Sequence, residues 1–224
     1  MKENIKIFMY LSLFFVGCEH QETNFPYMEG SETSQNDNEN DSDIFIIPLR
    51  FWFYEGTFET NQYKEKIIKE KNNGVVWDYD KIFTYIEYAE SFYLDYGISF
   101  AVQDVLYDEE YKIDFITEEY DYFFEKNIGP IDVFIVKSIY NKERDKSYDG
   151  WSTFYKNGCL KLIAIRRDIK LPLLSHELGH SLFLGHSSDP YNIMNPSPVF
   201  NSNINQKQGL RTRSEAQRYT KDCI

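Results

Sequence analysis

Three of the chain's four histidines, His176, His180 and His186, fall in one short stretch. The first two frame His176-Glu177-Leu178-Gly179-His180, and that spacing constrains the fold more than any other feature. On a helix, residues four apart lie about 40° apart and one turn along, so both imidazoles leave one face. Leu173, Leu174, Leu178, Leu182 and Leu184 give such a helix its apolar faces. Asp168 is placed to cap its start, and Pro172 suits the first turn. Two neutral imidazoles on one face bind Zn²⁺, and Glu177 is near enough to polarise a water on that metal. His186 would point about 240° away from His180 if the helix continued, so the chain must break helix and turn back to bring it in. Gly185 is one place for that turn. Three imidazoles and an open position make a catalytic zinc site.

The run from His176 to Pro196 resembles the metzincin superfamily of zinc peptidases, and within it the matrixin branch. His176, Glu177, His180 and His186 fall on that family's HExxHxxGxxH positions, Ser187 follows, and Asp189-Pro190 and Ile193-Met194-Asn195-Pro196 match the run toward its Met-turn. The resemblance implies one catalytic zinc held by His176, His180 and His186, with Glu177 as catalytic base and Met194 as the Met-turn residue. It implies a substrate peptide lying extended on an edge strand within 151–156. It also implies that Pro196 to Phe200 wall the pocket for the residue after the cut. The family's glycine is Phe183 here. Phe183 either takes the left-handed turn at about 1–2 kcal/mol, or the turn shifts toward Gly185. The family's second, structural zinc needs further histidines that this stretch of chain lacks, and its propeptide cysteine motif is absent. Asp189 reads as a turn residue and a reserve ligand. Calcium is compatible with the reading, but no motif indicates it.

The resemblance implies an α+β, zincin-like domain over 44–224: a mixed, mostly parallel twisted sheet, an active-site helix, a Met-turn and a C-terminal helix. Read from the residues alone, 44–57 is a strand in which Pro48 marks an edge or irregular start. Residues 63–71 form a short charged helix. A longer helix over 79–96 stops at Gly97, with Ile82, Ile86, Ala89, Tyr93 and Tyr96 on one face. Residues 98–107 and 132–139 are strands, Thr117 starts a short helix, and 141–150 is a loop. A hairpin joins 151–156 to 159–166 around Asn157-Gly158.

The N-terminal 18 residues carry Lys2 and Lys6, then an apolar run, then Phe15-Val16-Gly17-Cys18. The run is shorter than the roughly 20 residues of a membrane span and suits a signal peptide. Its end resembles a bacterial lipobox, which implies cleavage before Cys18 and acylation of that residue. Residues 19–43 hold eight acids and no Lys or Arg, the composition of a disordered tether. The net charge of −12 therefore lies largely outside the domain, whose 22 basic and 27 acidic residues leave −5. Such a balance excludes nucleic acid as the main partner. The expected protein is a monomer on the bacterial cell surface, lipid-anchored or alternatively secreted, that acts on protein or peptide substrates. Cys159 and Cys223 either pair or stay as buried thiols. Two alternatives stand open. In one, Glu215 from a later helix replaces His186 as third ligand. In the other, the protein is a non-catalytic surface lipoprotein that keeps zinc for structure or binds a partner.

Overall fold

A computed structural model describes residues 43–54, 59–60, 66–69, 76–77, 79–108, 115–116, 129–155, 158–168, 170–198 and 202–224. Cys18, most of the acidic stretch, Thr117, Asn157 and Phe200 lie outside the described residues. In chain order the strands are β1 (Phe45–Tyr54), β2 (Glu59–Thr60), β3 (Lys66–Lys69), β4 (Val76–Trp77), β5 (Ile98–Asp108), β6 (Phe115–Ile116), β7 (Ile131–Val136), β8 (Ile139–Asn141), β9 (Lys146–Tyr148), β10 (Gly150–Tyr155) and β11 (Leu160–Arg166). The helices are α1 (Tyr79–Tyr93), α2 (Pro172–Ser181) and α3 (Gln206–Asp222).

Alternation along β1 sets the frame. Ile47, Leu49, Phe51 and Phe53 are fully buried on one face, where helices cover them. Each such side chain contributes about 1.5–3 kcal/mol. The main sheet has the order β10-β11-β7-β1-β5. β5, β1, β7 and β11 run parallel, and β10 alone is antiparallel. The architecture is a mixed α/β fold with a mostly parallel sheet. α1 carries the chain from β1 to its parallel neighbour β5, with Ile82, Ile86, Ala89 and Tyr93 buried toward the sheet. Tyr96 is only partly buried. On the other face Phe134, Trp151 and Leu162 form a smaller apolar cluster beside Trp52. Asp132 is also buried there. Burial pushes its carboxyl upward, against hydrogen bonds from Arg50 at 2.6 Å and the Trp52 indole at 2.7 Å.

Several expectations need correction. Residues 66–69 are a strand, not part of a helix, because β3 gains main-chain partners in β2 and β4, whereas a nine-residue helix is marginal by itself. Pro48 sits in a strand internal to the sheet. Pairing of β1 with β7 starts only at Leu49, so at Pro48 the strand has a neighbour on one side alone. The strand expected over 132–139 divides into β7 and β8, which join different sheets. The loop expected over 141–150 contains β9, paired antiparallel with β8. The long helix ends as a 3₁₀ turn over Leu94–Tyr96, and Gly97 stops it at φ 68° as expected. β10 and β11 pair antiparallel, as the expected hairpin requires, with Gly158 at φ 79°. Among the described residues, no helix is long and apolar enough to cross a membrane.

Candidate metal centre

α2 is buried along its whole length. It starts at Pro172 without a side-chain cap. Asp168 does not serve there, because both its oxygens bind the Arg166 guanidinium, at 3.0 and 2.6 Å. His176, Glu177 and His180 are buried within the helix. Gly179 is required between them: a Cβ there would stand 2.4 Å from Met194 Sδ and 2.8 Å from the Tyr93 hydroxyl. That hydroxyl donates to the Ser175 carbonyl at 2.8 Å, and burial pushes its pKa up. α1 and Met194 therefore both press directly on the backbone of α2.

The helix ends in a left-handed turn at Phe183, whose φ is 61°. Phe183 N–H bonds the His180 carbonyl at 2.9 Å, and Leu184 N–H bonds the Gly179 carbonyl at 2.9 Å. This pair of bonds is the Schellman ending, normally built on glycine. The turn does not move to Gly185. Having reversed, the chain brings His186 back to the other two imidazoles.

The three ligand nitrogens lie within 4.8 Å of one another. His180 Nε2 is 3.0 Å from His176 Nε2 and 3.1 Å from His186 Nε2. Their chemistry is set from behind. His176 Nδ1 meets the Ile193 carbonyl at 2.7 Å, and His180 Nδ1 meets the Leu184 carbonyl at 2.7 Å. A carbonyl only accepts, so each Nδ1 carries the proton and each Nε2 presents a lone pair. Two lone pairs at that separation repel unless a cation lies between them. Tetrahedral zinc at about 2.0–2.1 Å from each nitrogen spaces its ligands about 3.3 Å apart, close to the spacing observed. The residues fit a zinc ion with three protein ligands.

Glu177 sits beside this cluster, and its carboxylate lies against the first residue of β10: a Cβ on Gly150 would come 2.4 Å from Glu177 Oε1. Met194 is fully buried. Its N–H bonds Asn192 Oδ1 at 2.9 Å, and its carbonyl accepts from Ser187 N–H at 2.8 Å. Asn192 and Gln208 exchange amide hydrogen bonds of 2.7 and 3.2 Å, tying this loop to the start of α3. Asp189 accepts from Tyr191 N–H at 2.9 Å as a turn residue, and it stands outside the imidazole cluster. Pro196 is partly buried at the end of the same loop.

Glu215 is not the third ligand. It is buried in an ion pair, with Oε1 2.8 Å from Lys161 Nζ and both oxygens bound by Arg218 at 2.7 and 2.8 Å. Cys159 and Cys223 are joined as a disulfide, with Cα atoms 5.1 Å apart. Sequence reasoning did not single out Lys161 or Gly150, and it placed Tyr93 only on the apolar face of the long helix. Lys161 had a signal: it interrupts the apolar run of β11, a strand whose neighbours bury both faces, so its charge needs a partner. Gly150 acts through a contact remote in sequence and left none, and the hydrogen bond of Tyr93 to α2 was likewise not legible.

No protein-family model matches the sequence, and no curated protein matches it. Among solved structures, the chain is similar to metalloproteinase-II from Bacteroides fragilis, at 13% identity and a TM-score of 0.46, over 77% of this chain and 54% of that one. It is similar also to archaemetzincin from Methanopyrus kandleri, at 13% identity and a TM-score of 0.45, over 78% of this chain and 96% of that one. The chain thus spans about half the length of the Bacteroides fragilis structure.

Proposed function

We propose that this chain is a zinc-dependent endopeptidase of the metzincin type. One observation carries the reading: two imidazole lone pairs, fixed by backbone carbonyls, meet at 3.0 Å beside a third imidazole and the buried Glu177. His176, His180 and His186 would hold the metal. Zinc supplies Lewis acidity there, bringing the pKa of water toward about 7 and polarising the scissile carbonyl. Glu177 takes the proton of the attacking water and delivers it to the leaving amine. The Ile193 and Leu184 carbonyls hold His176 and His180 in the ligating tautomer throughout. Met194 is the Met-turn residue, supporting the cluster from below through its contact with Gly179. β10 ends the main sheet, so a peptide laid along it gains main-chain hydrogen bonds. The family resemblance assigns Pro196 and Phe200 to the pocket for the residue after the cut. A retained buried base distinguishes this reading from a structural zinc site, which needs none.

The domain is a monomer, anchored through acylated Cys18 to the bacterial cell envelope, with residues 19–43 as its tether and extracellular proteins as its substrates. The lipobox-like sequence and the acidic composition support this part.

Purified full-length chain should hold one zinc by elemental analysis and cut members of a diverse peptide library. Glu177→Gln should keep the metal and lose about 10²–10⁴-fold in kcat/KM. A zinc-loaded wild type that cuts no peptide would rule out the endopeptidase reading. Mass spectrometry of the mature N-terminus tests the acylation separately.

A further inference from the structure

Lys161 is a costly side chain to place in the core. It is a fully buried cation in a strand whose other residues are apolar up to the terminal Arg166, and desolvating such an ion costs several kcal/mol. A leucine would fill the space at no such cost. What the cation touches gives its use. Nζ donates to Glu215 Oε1 and to the Ser181 carbonyl. That carbonyl belongs to the last turn of α2, where no helical N–H follows to satisfy it and the helix dipole is negative. Nζ also lies 4.5 Å from the centre of the Phe183 ring and 5.0 Å from that of Tyr219, within cation–π range. Phe154 on β10 meets the same Phe183 ring edge-on, at 4.7 Å between centroids. The floor is also close-fitting, since a Cβ on Gly158 would stand 2.7 Å from Phe183 Cζ.

Ser181 and Phe183 are the two ends of the chain reversal between His180 and His186. Lys161 grips the first by its carbonyl and the second by its ring. Glycine would take φ 61° without support, but phenylalanine does so at about 1–2 kcal/mol. We propose that Lys161, held by Glu215, is a positioning residue for the third metal ligand, clamping the Phe183 turn so that His186 returns to His176 and His180. The proposal rests on the reading of the three histidines as a zinc site.

The test uses the full chain and two variants. Lys161→Met/Glu215→Gln removes both buried charges; Arg218, which reaches solvent, keeps the amide oxygen introduced by Glu215→Gln as an acceptor. Phe183→Leu keeps the strained backbone but removes the ring over Nζ. Zinc dissociation constants come from competition with a chromophoric chelator, and ligand geometry comes from the d–d absorption of the Co²⁺-loaded protein. Each variant should bind zinc about 10–100-fold more weakly, with a weakened Co²⁺ band. An ion pair that serves the core alone would move the melting temperature and leave both metal readouts at wild-type values. That result overturns the proposal, and for Phe183→Leu it does so whether or not the double variant folds. A wild type that binds no zinc instead fails the metal-site reading, and the proposal falls with it.

Discussion

A phenylalanine at φ 61° joins two opposing effects in one residue. The backbone is strained by about 1–2 kcal/mol, while the ring packs on Lys161 and Phe154. Substitution separates them. Phe183→Ala loses the ring and keeps the strain; Phe183→Gly loses both. Both should unfold at lower urea than wild type, with the glycine variant more stable than the alanine variant by about 1 kcal/mol. Equal midpoints would mean that the left-handed turn is unstrained. The need for this turn was legible in the sequence, since His186 can join the other two only if the helix breaks. That Phe183 itself would make it was not, because the groups that hold its ring come from β10, β11 and α3. What the motif demands at this position is a conformation, and glycine is only its commonest means.

At the scale of elements, α2 packs along the edge strand β10, and Gly150 lies against Glu177 there. Arg166 fixes that point. Its Nη1 binds Asp149 at 2.7 Å and its backbone N–H bonds the Asp149 carbonyl at 2.9 Å, while its other side-chain nitrogens hold Asp168. Gly150→Ala should push the Glu177 carboxylate aside. About 10²-fold in kcat/KM should be lost, as for an angstrom-scale misplacement, with the zinc dissociation constant unchanged. A variant with wild-type kcat/KM would show that the carboxylate does not depend on this contact. The elements with strong local signals were legible: α1 from its apolar face, α2 from its histidine spacing, and the β10–β11 hairpin from Asn157-Gly158. Residues 66–69 and 146–148 were not, because short polar strands are defined by their partners and carry little pattern of their own.

For the whole molecule, the buried ionisable groups set the response to alkali. Burial lowers the Lys161 pKa from 10.5 to about 8, against the opposing pull of Glu215. The folded chain thus releases this proton near pH 8 while the unfolded chain holds it to about 10.5. Across that window the unfolded state binds more protons, so this group makes stability rise with pH. Burial raises Tyr85 from 10.0 to about 12, and it raises Tyr93 and Tyr219 as well. Above their ordinary value the unfolded chain ionises first, so these groups make stability fall. Urea midpoints should climb from pH 8, then decline above about 10. Lys161→Met should abolish the climb and keep the decline. The Cys159–Cys223 disulfide closes a loop with a sequence separation of 64. By chain entropy it stabilises the fold by about 4 kcal/mol, a loss that the urea midpoint of Cys159→Ser/Cys223→Ser would report. The loop encloses α2, all three histidines, Glu177 and Met194. One backbone cut anywhere between the two cysteines leaves the two pieces covalently joined. The two pieces separate only when a nick and a reductant act together, so a nicked chain runs as two bands only on a reducing gel.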